Sequence, residues 1–328
     1  MFFEEPTASH VISHISDTHL LGGDRKLFST VNVKKNLTDL LERLRATDLN
    51  FDALVFTGDL ADVAEPEAYR WIRSQVEPVA QELGAQVIWV MGNHDEREPY
   101  ARELFDEESD GTPRDRVYDV NGLRVIALDS TVPGYHHGDL DESQLEWLKA
   151  ELATPAKHGT ILALHHPPIR SHNPLVRMIE LFRQDSLERV VRGSDVRTIL
   201  GGHLHYSTFG TFAGVPVAVA SATCYTVDMG MSKDNLMTAV DGGQSIQLVH
   251  VYDDTVVHTV VPVDDSARVD SEVLTVVGSA YFTGGIDSGT VVGNYTNFGL
   301  VGAIRFWDDG SGNIRIKNGA DPANATDG

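Results

Sequence analysis

The chain is poor in cysteine and in basic residues, and it has no apolar run of membrane-spanning length. Its single cysteine, Cys224, excludes a disulfide framework within the chain and a metal cage built of thiolates. Only 26 lysines and arginines oppose 48 acidic residues, which gives a formal charge of -22. This charge disfavours binding to nucleic acid polymers and to anionic membranes. Because the N-terminus lacks a signal-peptide pattern, we expect a cytoplasmic protein without a transmembrane segment.

Strands and helices alternate in the first half of the chain, and strands dominate later. The runs HVISHIS, DALVFTG and QVIWVMG predict strands, and helical spacing predicts helices at 31–47, 66–83, 141–152 and 174–192. Residues 207–263 alternate as strands do. This order predicts an α/β domain over residues 1–263 with two sheets in its core. Residues 264–328 form a Gly-rich C-terminal extension, in which we predict a hairpin at AIRFWDDGSGNIRI and disorder in KNGADPANATDG.

Polar clusters follow five of the apolar runs. Ligands of open α/β sheets bind at the carboxyl ends of the strands, so these clusters are expected to converge. Their oxygen and imidazole donors suit Mn, Fe or Zn. In an extended backbone, side chains two residues apart project from one side, and the preceding glycines allow close backbone approach. Each motif alone is more typical of a turn, a cap or a solvated residue. The clusters are SDTH with Asp17 and His19, GD with Asp59, GNHD with Asn93, His94 and Asp95, HHPP with His165 and His166, and GHLH with His203 and His205.

Together these motifs resemble those of the calcineurin-like metallophosphoesterases, and in particular the bacterial class III cyclic-nucleotide phosphodiesterases. The resemblance covers residues 10–262 and includes linking segments such as ELATPAKHGTILALHHPPI. It implies a two-sheet sandwich with α/β/β/α layers and two metal ions in each chain. An Fe and Mn pair is expected, with Zn or two Mn ions as alternatives. The implied ligands are Asp17, His19, Asp59 and His205 for the first ion, and Asp59, Asn93, His165 and His203 for the second, with Asp59 as the bridge.

The implied reaction is hydrolysis of 3′,5′-cyclic nucleotides, cAMP and also cGMP, to 5′-monophosphates by a hydroxide that bridges the two metals. We predict that His94 is the general acid and that Asp95 orients its ring. The alternative is that His94 is an outer residue held by Asp95. Asn93, His94 and His136 are the candidate substrate contacts, although His136 could equally be a solvated loop histidine. Three alternative roles are kept for Asp62: an outer partner of the first metal, an outer ligand of that metal, and a helix cap.

Two rival functions remain open at this point. The same site could hydrolyse other phosphodiesters, such as glycerophosphodiesters or aryl diesters, because the metals bind the phosphate and few residues contact the other parts of the substrate. A metal-dependent scaffold without catalysis is the other alternative, which the complete set of ligands disfavours. The expected partners are a small phosphodiester and a second copy of the chain, since the resemblance implies a homodimer and two-fold dimers are the commonest assemblies.

Overall fold

The computed structural model describes residues 7–47, 49–171, 173–230 and 238–263, and strands at 296–298, 302–308 and 314–318. The chain divides into two compact units, Met1–Asp264 and Asp265–Gly328. The predicted domain boundary lies one residue from this division, and the assignment of residues 264–328 as an extension stays a prediction. The segment from residue 319 onward, for which disorder is predicted, lies outside the described residues.

The first unit contains thirteen strands among its described residues. They are β1 His10–Ile15, β2 Ala53–Thr57, β3 Gln86–Val90, β4 Arg116–Val120, β5 Leu123–Leu128, β6 Thr160–Leu164, β7 Val196–Gly201, β8 Thr208–Phe212, β9 Val215–Val219, β10 Thr226–Asp228, β11 Thr238–Val240, β12 Ser245–Val251 and β13 Val256–Pro262. One sheet has the order β13-β12-β1-β2-β3, and the other has the order β4-β5-β6-β7-β9-β8. Strands β1, β2 and β3 run parallel, as do β5, β6, β7 and β9.

The described residues contain five α-helices: α1 Val33–Arg45, α2 Pro66–Leu83, α3 Arg97–Phe105, α4 Glu142–Glu151 and α5 Gln184–Val191. Helix α2 has the predicted bounds, because Pro66 opens it and Gly84 closes it at φ 72°. The single helix predicted over 174–192 is wrong. Only a 3₁₀ turn at Val176–Ile179 and α5 form there, and Arg183 at φ 50° separates them. Helix α3 was not predicted from the sequence.

Three apolar layers order the first unit from one side to the other. In strand β2, Leu54 and Phe56 pack toward helices α1 and α2, while Ala53 and Val55 face the second sheet. The opposite face of the second sheet packs on α4 and α5 through residues such as Leu162 and Leu187. Since side chains alternate between the faces of a strand, both faces of each central strand are buried. The predicted α/β/β/α sandwich is therefore confirmed.

The second unit contains a three-stranded antiparallel sheet of β14 Thr296–Phe298, β15 Gly302–Asp308 and β16 Ile314–Asn318. Strands β15 and β16 pair as the predicted hairpin, with Asp308 opposite Ile314. The residues between them, 309–313, lie outside the described part. Lys317 and Asn318, which begin the segment predicted to be disordered, belong instead to β16.

Candidate metal centre

The predicted polar clusters lie at the carboxyl ends of parallel strands in both sheets. Asp17 and His19 follow β1, Asp59 follows β2, and Asn93 follows β3. In the second sheet His165 follows β6, while His203 and His205 follow β7. Because two sheets pack face to face with the same ends together, the clusters meet at one edge of the sandwich.

Asp59 lies at the centre of the cluster. Its Oδ2 atom is 3.3 Å from Nε2 of His19 and 3.2 Å from Nε2 of His165. On the side of His19, Nε2 of His205 is 3.2 Å from Nε2 of His19 and 3.3 Å from Oδ1 of Asp17. One carboxylate oxygen therefore faces both halves of the predicted site.

The ligand atoms of the first predicted metal form a compact, buried set. Asp17, His19, Asp59 and His205 each offer an atom, and these atoms lie within 4.8 Å of one another. Such spacing suits donors that share one ion at about 2.0–2.2 Å each. The residues therefore fit a metal of borderline hardness, with two imidazoles and two carboxylates.

The second half of the site contains Asn93, His165 and His203. Oδ1 of Asn93 is 3.2 Å from Nε2 of His165, and the ring centroids of His165 and His203 are 5.0 Å apart. His166 also lies close to these rings, but both of its nitrogens are occupied. Nδ1 is 2.9 Å from Oγ of Ser130, and Nε2 is 3.1 Å from the carbonyl oxygen of His136. This supports a structural role for His166 rather than that of a ligand.

Each predicted histidine ligand has an outer partner for the ring nitrogen that faces away from the centre. This arrangement is typical of metal sites, because the outer contact fixes both the orientation and the tautomer of the ring. It also shows that the residues present fit metal ions. The contacts are His165 Nδ1 to the Thr57 carbonyl at 2.7 Å, His19 Nδ1 to Asp62 Oδ1 at 2.9 Å, His203 Nε2 to the Ile179 carbonyl at 2.9 Å, and His205 Nδ1 to Cys224 Sγ at 3.6 Å.

The contact of Asp62 with His19 supports one of the alternatives for Asp62. Its carboxylate accepts from the outer nitrogen of a predicted ligand, as an outer partner would. It does not cap helix α2, whose N-cap is Glu65 and has no side-chain cap bond. The hydrogen bond to His19 holds the pKa of Asp62 below its usual range, although burial opposes this shift.

Five of the predicted metal ligands have strained backbone conformations. Asp17, His19 and Asp59 have φ angles of 53°, 44° and 50°, and His203 and His205 have 70° and 58°. The expectation that the pairs Asp17/His19 and His203/His205 lie in extended backbone is therefore wrong. Left-handed conformations of non-glycine residues cost energy, and they persist where the surroundings enforce them. Here the amide of His203 donates to both carboxylate oxygens of Asp17 at 3.1 Å.

The expected close approach at the glycines is confirmed at Gly92 and Gly202. A Cβ atom at Gly92 would lie 2.1 Å from the backbone nitrogen of Asp59 and 2.2 Å from its Oδ1. At Gly202 it would lie 1.9 Å from Oγ of Ser16. Only glycine fits at these distances, because the loops that carry the ligands touch through their backbones.

The electrostatics of the cluster favour positive charge at its centre. Burial alone would raise the pKa of Asp17, but the charge of His205 lowers it to about 2. Burial would lower the pKa of His19, yet its hydrogen bonds to Asp59 and Asp62 raise it to about 10. Burial also opposes protonation of His165, whereas the charge of Asp59 raises its pKa to about 9. Cations and protons therefore compete for this site.

The role predicted for Asp95 as the group that orients His94 needs correction. Asp95 accepts hydrogen bonds from the amides of Leu60, Ala61 and Gly92 and from the Tyr69 hydroxyl, at 3.2, 3.2, 2.8 and 2.8 Å. It thus ties the loop after β2 to the loop after β3. Nδ1 of His94 contacts the carbonyl oxygen of Asp62 at 2.7 Å instead. The orienting group was missed because a backbone carbonyl carries no sequence signal.

His94 and His136 lie at the open side of the cluster. The His94 ring is 4.6 Å from the His19 ring and 5.5 Å from the His136 ring, centroid to centroid. Its side chain is 30% exposed, and its amide donates to Oδ1 of Asp59 at 2.9 Å. Nδ1 of His136 lies 3.0 Å from Nδ2 of Asn93. These two candidate substrate contacts, like the third, Asn93, therefore border the predicted metal positions.

Sequence reasoning gave no role at the site to Cys224 or Tyr225. Cys224 is buried as expected, but it also contacts a predicted ligand through its sulfur. Burial raises the pKa of its thiol, so the sulfur stays protonated. The Tyr225 ring lies 4.5 Å from the His205 ring. The motif SATCYT was visible in the sequence, but its proximity to GHLH depends on long-range packing.

The arrangement defines a histidine- and carboxylate-rich metal centre on a two-sheet sandwich, and comparisons with known proteins place it in a family. Residues 10–207 match the calcineurin-like phosphoesterase family. The chain is 56% identical over 259 residues to the cAMP/cGMP dual specificity phosphodiesterase of Mycobacterium tuberculosis (strain CDC 1551 / Oshkosh). This alignment covers 79% of this chain and 81% of the relative. The chain therefore belongs to the calcineurin-like phosphoesterase family, and the predicted resemblance is confirmed.

Two further comparisons agree with this assignment. The chain is 30% identical over 238 residues to the 3′,5′-cyclic adenosine monophosphate phosphodiesterase CpdA of Escherichia coli (strain K12), covering 72% of this chain and 84% of the relative. A solved dimetal phosphatase from Danio rerio superposes with a TM-score of 0.56 at 13% identity, covering 79% of this chain and 98% of that one. At this identity the structural likeness concerns the fold alone. Among the described helices, none combines the length and apolar character needed to cross a membrane.

Proposed function

We propose that this chain hydrolyses 3′,5′-cyclic nucleotides, cAMP and cGMP, to nucleoside 5′-monophosphates. The family and the names of its relatives support a metal-dependent phosphodiesterase. The observation that carries the proposal is the position of Asp59, whose Oδ2 lies within 3.3 Å of ring nitrogens in both halves of the cluster. A single shared carboxylate is what a two-metal phosphoesterase site requires.

The first ion would be held by Asp17, His19, Asp59 and His205, and the second by Asp59, Asn93, His165 and His203. When bound, such ions supply an acidified water as nucleophile and positive charge for the phosphate oxygens. The chain's own residues fix this arrangement. Asn93 contributes a neutral oxygen, so it limits the negative charge beside the incoming phosphate, and its Nδ2 points toward His136.

His94 would donate the proton that the leaving 3′-oxygen needs. The carbonyl oxygen of Asp62 accepts from Nδ1 of His94, so the proton on Nδ1 is fixed and Nε2 is the atom that can deliver a proton. The Asp62 carboxylate lies 3.8 Å from the same Nδ1 atom. The partial exposure of His94 leaves room for the substrate. Asp95 acts at a distance, by holding the loops that carry Asp59 and Asn93.

The finer assignments are also proposals. The imidazole and carboxylate set is compatible with Fe and Mn, which we propose as the pair of ions. The single buried thiol is compatible with a reducing compartment, so we propose a cytoplasmic enzyme. We further propose a homodimer. Elemental analysis and light scattering of the purified protein test the metals and the oligomeric state.

Steady-state hydrolysis tests the proposed function. We expect kcat/KM for cAMP and cGMP to exceed that for glycerophosphocholine and for bis(4-nitrophenyl) phosphate with the metal-loaded enzyme. Asp59→Asn should lose activity together with bound metal, whereas Asp253→Asn, at an exposed turn remote from the cluster, should retain both. A preference for the non-nucleotide diesters would favour the broader phosphodiesterase. Metal binding without hydrolysis of any ester would favour the scaffold.

A further inference from the structure

Two aromatic rings lead from the predicted metal ligands to the surface of the protein. The Tyr225 ring lies 4.5 Å from the ring of His205 and 5.4 Å from the ring of Phe28, centroid to centroid. Tyr225 is half-buried, whereas Phe28 is 69% exposed. We call this pair the Phe28–Tyr225 shelf. One end of the shelf contacts the metal site and the other end is open to solvent.

The backbone of its loop holds Phe28 at the surface of the protein. The ends of the loop, Leu27 and Val31, are buried and exchange two backbone hydrogen bonds of 2.9 Å. At its tip, Phe28 and Ser29 have φ angles of 50° and 62°. Two consecutive left-handed residues are costly, and a large apolar side chain gains nothing from contact with water. Strain of this kind clusters at ligand-binding sites.

Phe28 lines an open cleft that extends to Asp62. The cleft has a volume of about 610 Å³, within the range of small-molecule sites, and its lining includes Phe28, Val63 and Asp62. Asp62 contacts His19 through its carboxylate and His94 through its carbonyl oxygen. A substrate whose phosphate lies at the metals and whose leaving oxygen faces His94 can therefore extend along this cleft.

We propose that the nucleobase of the cyclic nucleotide stacks on the Phe28 ring of the Phe28–Tyr225 shelf, whose two ring planes are inclined by 58°. This inference rests on the proposed function and adds the group that binds the base. Every base has a π-face, so stacking on aromatic rings tolerates different bases. The exposed apolar side chain of Val63, at 58%, would cover another part of the base. The shelf thus explains how one site accepts both adenine and guanine.

A second group of rings is the competing location. His137 stacks on Phe182 with centroids 4.2 Å apart and planes 18° apart, and Tyr135 lies 5.3 Å from His137. Because His137 and Phe182 already cover one face of each other, they offer less free surface to a base. None of these three rings has a ring contact with a predicted metal ligand among the described residues.

Kinetics with matched substrates test the proposal. Phe28→Leu keeps an apolar side chain but removes the ring, whereas Phe28→Trp keeps a ring. For Phe28→Leu we expect KM for cAMP and cGMP to rise about 5- to 100-fold with little change in kcat. The base-free analogue, 1-deoxyribose 3′,5′-cyclic phosphate, should be hydrolysed as by the wild type. Phe28→Trp and the control Phe182→Leu should leave KM for both nucleotides near the wild-type value.

Several results would overturn the proposal. KM could rise equally for the base-free analogue, or it could rise in Phe182→Leu instead of Phe28→Leu. Unchanged kinetics in Phe28→Leu with a changed oligomeric state would assign the ring to an interface between copies. If the wild-type enzyme hydrolysed neither cyclic nucleotide, the proposed function itself would fail, and this result is seen before any variant is compared.

Discussion

Replacing Gly92 by alanine tests how the metal centre depends on backbone contact between two loops. The new Cβ atom would lie 2.1 Å from the backbone nitrogen of Asp59 and 2.2 Å from its Oδ1. Both atoms belong to the residue that is proposed to bridge the metals. Gly92 does not have a left-handed φ angle, so alanine suits its backbone. The effect of the substitution therefore comes from the contact alone.

The size of the effect follows from these distances. Ordinary contact of a Cβ atom begins near 3.4 Å, so the loop after β2 and the loop after β3 must separate by roughly 1 Å. Overpacking of this kind costs about 1–3 kcal/mol of unfolding free energy. A displacement of ~1 Å at a catalytic centre costs on the order of 100-fold in rate. We expect a folded, destabilised protein with reduced metal content and reduced turnover.

Three measurements on one preparation separate these effects. Urea unfolding gives the change in stability, elemental analysis gives bound metal for each chain, and hydrolysis of cAMP gives kcat. Gly242→Ala is the matched control, because no atom lies within 4 Å of its added Cβ and its φ angle is not left-handed. If Gly92→Ala bound two ions and turned over at the wild-type rate, the central position of Asp59 would be refuted.

Two further predictions concern the outer partner of a ligand and a remote histidine. Asp62→Ala removes the acceptor for Nδ1 of His19, so the affinity for metal should fall about 10- to 100-fold. A titration against a chelating dye measures this affinity, and an affinity equal to that of the wild type would contradict the role assigned to Asp62. Burial lowers the pKa of His258 from the ordinary value of 6.5 to about 4. The unfolded chain therefore binds a proton at His258 before the folded chain does, so the stability that neutral His258 contributes is present above pH 6.5 and is lost as the pH falls toward 4. His258→Gln should therefore flatten the pH dependence of the unfolding free energy by up to about 1.4 kcal/mol per pH unit in that window, and parallel curves for variant and wild type would refute this.

The sequence allowed prediction of the sandwich and of the residues that meet at its edge, for a simple physical reason. Apolar runs such as DALVFTG mark buried strands, and a polar residue at the end of a run, such as Asp59, must lie at the edge of the sheet. Helix α2 was predicted to the residue because proline and glycine punctuate its ends. These signals are local, so they can be read without knowing the fold.

The features that were missed depend on contacts between distant segments. The carboxylate of Asp95 was assigned to its neighbour His94, but its partners include the amides of Leu60 and Ala61, and amides have no sequence signature. Tyr225 reaches His205 only because the chain returns to the edge of the sheet after β9. The helix predicted over 174–192 failed at Arg183, whose left-handed backbone no residue type would have indicated.

The loops at the metal centre are held by one another, which explains why strained ligands are tolerated. The amide of Asp17 donates to the carbonyl of Gly58, the amide of His19 donates to the carbonyl of Asp59, and the amide of Cys224 donates to the carbonyl of Asp17, all within 3.1 Å. Three segments that are distant in sequence thus fix the left-handed positions through their backbones. Residues in one network of this kind do not act independently, so the effects of paired substitutions at the centre should depart from the sum of the single effects. The centre behaves as one structural unit rather than as a set of separate ligands.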